Sequence, residues 1–204
     1  GIILTYLYSF DTDTWQIVDA PASVDYNLVA AETAEDPSTG EIFGEFYKND
    51  FSGMEFGVID YANKTRTTIS SAQNVYAAMG IAKDGYAYGV ASDGNLYKID
   101  RNTGAETLVG ATGLTLTDSE GAFYFQTGEI DPKTNTFYWS ATTADGATAL
   151  YTVDLTTGAA TKLGDYSSDW TEFNSVGMMI PAPAAEAAAP APEQAGGDPM
   201  AELM

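Results

Sequence analysis

One hairpin, written twice, constrains this chain more than anything else in it. Residues 96–110 read LYKIDRNTGAETLVG and residues 150–164 read LYTVDLTTGAATKLG. Each copy has an alternating apolar run, an Asp, turn residues ending in Gly, and a second short run, the pattern of two strands joined by a tight turn. Weaker copies are FGVIDYANKTRTTI at 56–69 and LYSFDTDTWQIV at 7–18. The aspartates that open the turns, Asp11, Asp60, Asp100 and Asp154, lie 49, 40 and 54 residues apart. That is near the length of a four-stranded propeller blade.

A second element precedes each hairpin: STGEIFGEF (38–46), KDGYAYGVA (83–91) and KTNTFYWSA (133–141). Upstream of these lie YNLVAAETA (26–34), VYAAMGIA (75–82) and AFYFQTGEI (122–130), apolar but mixed with small residues. Small residues suit a strand at a crowded axis, where backbones approach closely. The expected fold is all-β, a β-propeller-like array of four-stranded antiparallel blades, with four to five blades visible. Three are complete, at 24–70, 73–110 and 121–164, and the first survives only as residues 2–18. Residues 173–181 (FNSVGMMIP) read as one more inner strand. Either that strand closes the array onto the first blade, or the propeller is incomplete and further blades precede Gly1; the pattern favours the second. The repeat domain thus covers 1–181, and the Ala/Pro-rich, acidic stretch 182–204 reads as a linker or tail.

Composition then narrows the chemistry. Of 204 residues, 29 are Asp or Glu and only eight are Lys or Arg, for a formal net charge of −21. A nucleic-acid partner is disfavoured, since phosphate binding needs a basic face. No apolar run approaches the length of a membrane span, so no membrane insertion is expected. The chain has neither Cys nor His, which removes thiolate chemistry, His-based triads and His-based zinc sites.

FGVIDYANKTRTTI, GNLYKIDRNTGAETLVGATGL, EIDPKTNTFYWSATTADGATALYTVDLTTGAATKLGD and the closing VGMMIP resemble propeller-like repeats of secreted, multidomain Bacteroidetes proteins. The resemblance covers most of 40–181. It implies a secreted or cell-surface location and further domains in the same polypeptide, and it brings no catalytic residues with it.

The repeated aspartates fit Asx turns, each carboxylate accepting backbone N–H groups just ahead of it. DTD at 11–13 and DPSTG at 36–40 fall short of a calcium loop and also read as turns. The inner strands offer Asn27, Glu32, Asn74, Gln126, Glu129 and Asn174. Of these Glu32, Glu129, Asn74 and Asn174 are the candidate ligands for a hard cation such as Ca2+. Phe123, Phe125 and Phe137 are assigned to the core, and Trp15, Trp139 and Trp170 to exposed faces able to stack on a sugar. The function these features favour is a non-catalytic extracellular module that binds a glycan or protein. The alternatives are a divalent-metal hydrolase using the channel carboxylates, and a structural spacer.

Overall fold

The computed structural model describes residues 9–11, 14, 16–19, 30–48, 50, 52–116 and 126–166. They form fourteen strands. Strands β1 (Ser9–Asp11) and β2 (Gln16–Asp19) make a hairpin. Blade A comprises β3 (Ala30–Glu35), β4 (Ile42–Tyr47), β5 (Met54–Asp60) and β6 (Thr65–Ser71). Blade B comprises β7 (Tyr76–Ile81), β8 (Ala87–Ala91), β9 (Asn95–Ile99) and β10 (Glu106–Ala111). Blade C comprises β11 (Thr127–Ile130), β12 (Phe137–Thr142), β13 (Thr148–Val153) and β14 (Ala160–Asp165).

Every pairing is antiparallel and every blade is wound in chain order. The first strands pack side by side, with β7 between β3 and β11. The result is all-β and propeller-like, with the small-residue strands innermost. Crowding there is real: a Cβ on Gly80 would stand 2.7 Å from the Ile130 side chain, and one on Gly128 2.8 Å from Ala78 Cβ. Among the described residues no helix is long and apolar enough to cross a membrane.

The cores lie between blades. Phe43, Phe56 and Ala34 of blade A meet Tyr76, Met79, Ile81, Ala87 and Ile99 of blade B. On its other side blade B meets blade C, where Tyr88, Val90 and Leu96 pack against Ile130, Phe137, Trp139 and Tyr151. Strand alternation divides the side chains of blade B between two neighbours.

The hairpin turns are built from their aspartates. Asp100 Oδ1 accepts from the N–H groups of Asn102 (2.8 Å) and Thr103 (3.0 Å), and Asp154 Oδ1 from those of Thr156 and Thr157, both at 2.8 Å. Asp60 accepts from Asn63 in the same way. The side chain of Asp11 lies outside the described residues. Four places after Asp100 and Asp154 the chain turns through positive φ, at Gly104 (69°) and Gly158 (83°). The same turn closes the inner hairpins of blades A and C, at Asp36–Gly40 and Asp131–Asn135.

Each outer hairpin also carries a β-bulge nine residues after its aspartate, at Ile69, Val109 and Leu163. The next residue, Ser70 or Gly110, docks on the turn of the following blade. Ser70 Oγ lies 1.8 Å from where a Gly104 Cβ would sit, and a Gly110 Cβ would meet Thr157 O at 2.1 Å. Only glycine in the turn lets the blades close to this distance.

Candidate functional site: a pocket where three blades converge

The β3–β4, β7–β8 and β11–β12 turns come together at one end of the inner strands. They are stitched by side chains. Asp36, 3% exposed, pairs with Arg101, whose Nε also donates to Gly85 O at 2.6 Å. The Arg101 guanidinium lies 5.1 Å from the centre of the Phe43 ring. Lys83 reaches the third blade twice, its N–H donating to Asn135 Oδ1 (2.8 Å) and its Nζ to Lys133 O (2.6 Å). Burial opposes charge on Asp36. The Ser38 hydroxyl and Arg101 outweigh it and hold the carboxyl down at about 2, so it is ionised at all ordinary pH.

Between these turns lies a pocket of about 230 Å³, with Asp36, Ser38, Lys83, Arg101 and the rings of Pro37 and Pro132 in its wall. It presents a carboxylate, a hydroxyl and two cations beside apolar ring faces. Neither Lys83 nor Arg101 stands out in the sequence as a site residue. The usable signal is that Asp-Pro recurs at 36–37 and 131–132, and that two of only eight basic residues fall in neighbouring turns.

A second polar group lines the inner strands. Glu32 and Glu129 are brought within electrostatic reach of each other, and Glu45 on β4 joins them. Burial raises Glu32 well above the usual carboxylate range, and pushes Glu45 up to about 8 and Glu129 up to about 7. Glu45 is 0% exposed; its Oε2 accepts the Tyr76 N–H at 2.9 Å, while Oε1 has no partner. Sequence inspection misses Glu45, although a Glu among the aromatics of IFGEFY is its trace. Asn74 is not part of this group: it donates to the carboxylate of Glu106 on β10, which also accepts the Gln73 N–H. Gln126 is buried and accepts the Thr142 N–H. Among the described residues no three carboxylates are placed to hold a metal ion. Asn27 and Asn174 lie outside them.

Trp139 corrects an expectation. It is 0% exposed, not on an open face, with its ring centre 5.9 Å from that of Tyr151. The alternation of β12 sends Phe137, Trp139 and Ala141 together toward blade B, so no sugar can reach the indole. Phe137, assigned to the core, is there. Trp15, Trp170, Phe123 and Phe125 lie outside the described residues.

Fold and pocket define a propeller-like β-repeat protein. More specifically, the chain belongs to the family described as "Repeat of unknown function (DUF6923)", whose model matches residues 58–178, more than half of the sequence. No curated protein matches it. Among solved structures it is similar to TolB from Acinetobacter baumannii, at 20% identity and TM-score 0.47, covering 78% of this chain and 37% of that one. It is similar also to Kuenenia stuttgartiensis hydrazine synthase (17%, TM-score 0.44, covering 76% and 41%). A fucose lectin from Kordia zhangzhouensis, solved with methyl-fucoside, matches at 13% and TM-score 0.39, covering 67% and 99%. These are likenesses of fold. The chain spans less than half the length of the TolB and hydrazine synthase chains.

Proposed function

We propose that this protein is a non-catalytic binding module that takes a glycan at the turn-face pocket, within an exported or surface-exposed multidomain protein. The observation that carries this is the pocket itself. A buried carboxylate, locked to a half-buried guanidinium, faces a space the size of a single sugar unit or side chain. Preorganised donors and acceptors match hydroxyl pairs, and proline rings match the C–H face of a sugar. Lys83 adds a cation at the rim, which favours acidic sugars.

Metal-dependent hydrolysis draws less support. The carboxylates on the inner strands are held toward their neutral form by burial, and a protonated carboxyl is a poor ligand for a hard cation. The spacer reading leaves the Asp36–Arg101 pair without a role beyond joining blades.

The test is a glycan array probed with the full chain and with Lys83→Ala, a change at an exposed rim residue. Saturable binding of a defined set of glycans, weakened in Lys83→Ala while the urea midpoint is kept, supports the proposal. Silence on the array overturns it in favour of the spacer. Binding that Lys83→Ala leaves unchanged places the site elsewhere.

A further inference from the structure

We infer that the free face of blade C, centred on β14, is a docking surface for another blade of this same repeat, one that presents an Asp-x-x-Thr-Gly outer hairpin. The inference is independent of the turn-face pocket. It rests on a contact that occurs twice among the described residues and is left unmade there a third time.

At the A–B boundary the bulge residue Ile69 packs into the shared core, and Ser70 rests on the Gly104 turn. At the B–C boundary the bulge residue Val109 packs into the next core, and Gly110 rests on the Thr157–Gly158 backbone. A hydrogen bond accompanies each docking: Gln73 N–H donates to the Glu106 side chain (Oε1, 2.8 Å) in the first, and Ala160 N–H to Thr112 O (3.0 Å) in the second. Blade C has the same bulge at the same place. Its bulge residue, Leu163, is 54% exposed, and a Cβ on Gly164 would have nothing within 4 Å. Val58, two residues before its aspartate, packs into the A–B core. Its counterpart Thr152 instead lines an open cleft of about 410 Å³ on blade C. The bulge and the glycine after it recur in blade C, and among the described residues no neighbour meets them.

The chemistry of the occupant follows from the two filled copies. It must offer a turn whose fifth residue is glycine at positive φ, because a Cβ there collides with the docked bulge. In this sequence the outer-hairpin turns of that form are Asp100–Gly104 and Asp154–Gly158, and both are already seated. The N-terminal hairpin carries Trp15 at that place, and blade A carries Lys64. A second copy of this chain therefore has no free turn to give. The partner is a further blade of the repeat from outside these residues.

The probe is a disulfide-closed peptide with the sequence of residues 148–165, added to the full chain and read by fluorescence anisotropy and amide exchange. Saturable binding that slows exchange along β14 is expected. Glycine to valine in the probe's turn should weaken it by roughly tenfold or more, and so should Leu163→Lys in the chain. As a second measurement, a duplicate of residues 127–166 is inserted directly after Tyr166. The added blade should raise the urea midpoint, and valine at its turn glycine should cancel the gain. Absence of both effects overturns the inference. A homodimer of the chain that Leu163→Lys dissociates also overturns it, since the occupant would then be a second copy.

Discussion

Gly110 and Gly164 occupy the same place in two blades, directly after the bulge of the outer hairpin, and neither has positive φ. They differ only in what stands opposite. An alanine Cβ at 110 would lie 2.1 Å from Thr157 O and 3.1 Å from Thr157 C, atoms of a turn backbone pinned by two hydrogen bonds to Asp154. Such a turn cannot yield as a flexible side chain would, so the blades must part by about an ångström. Overpacking of this kind costs about 1–3 kcal/mol. At 164 an alanine meets nothing, and the change should stay within about 0.5 kcal/mol, aided slightly by the stiffer unfolded chain. Urea melts followed by circular dichroism, with m-values compared, give the difference directly. For a domain of this size Gly110→Ala should lower Tm by roughly 2–12 °C, and Gly164→Ala should barely move it. Equal effects at the two positions would refute interlocked hairpins as the device that holds the blades together.

Other outcomes follow from the same geometry. Glu45 binds its proton more tightly in the native chain (about 8) than its ordinary value of 4.5 allows in the unfolded one. Its contribution is therefore complete below about 4.5 and is lost as pH rises toward 8, at up to about 1.4 kcal/mol per unit. Glu129, pushed up to about 7, adds to this, whereas Asp36, held at about 2, withdraws stability only as pH falls below 4. Unfolding free energies from pH 5 to 8 should fall in the wild type and fall less steeply in Glu45→Gln, where Glu129 and Glu32 still titrate; an unchanged slope in the variant would count against a protonated Glu45. Asp154→Ala should lower the urea midpoint and Asp154→Asn restore most of it, with calcium and chelator alike leaving both melts unmoved; a calcium-dependent midpoint would mean that the carboxylate serves a cation. Trp139→Ala should destabilise by about 3–5 kcal/mol with much less loss in Trp139→Phe, measured by the same melts; a mild effect in the alanine variant would contradict its place in the B–C core.

Much of the fold was legible because its turns are chemical signatures. An Asp whose carboxylate takes two backbone N–H groups, followed by a residue at positive φ, can be recognised without coordinates, and its recurrence set the blade length. The crowded inner strands were legible for a similar reason, since Gly80 and Gly128 admit no side chain. The facing of individual side chains was not. In a sheet covered on both sides alternation separates residues into two sets, but it does not say which blade each set meets, so Trp139 could look exposed. The bulges compound this by shifting the alternation within a strand. The candidate site was hidden more deeply. Asp36, Lys83 and Arg101 come from three different turns, and nothing in their local sequence announces that the turns meet. Conversely Glu32 lies within inner strand β3 and Asn74 just ahead of inner strand β7, where it is drawn outward to Glu106.

The most direct measurement of binding at the turn face is amide hydrogen exchange of the full chain with and without the tightest glycan from the array. Exchange slowed at residues 36–38, 82–85 and 101, with β14 and the inner strands unchanged, is the result expected. Slowing along β3 and β11, or on β14, with those turns unaffected, would contradict a binding site at the convergence of the blades.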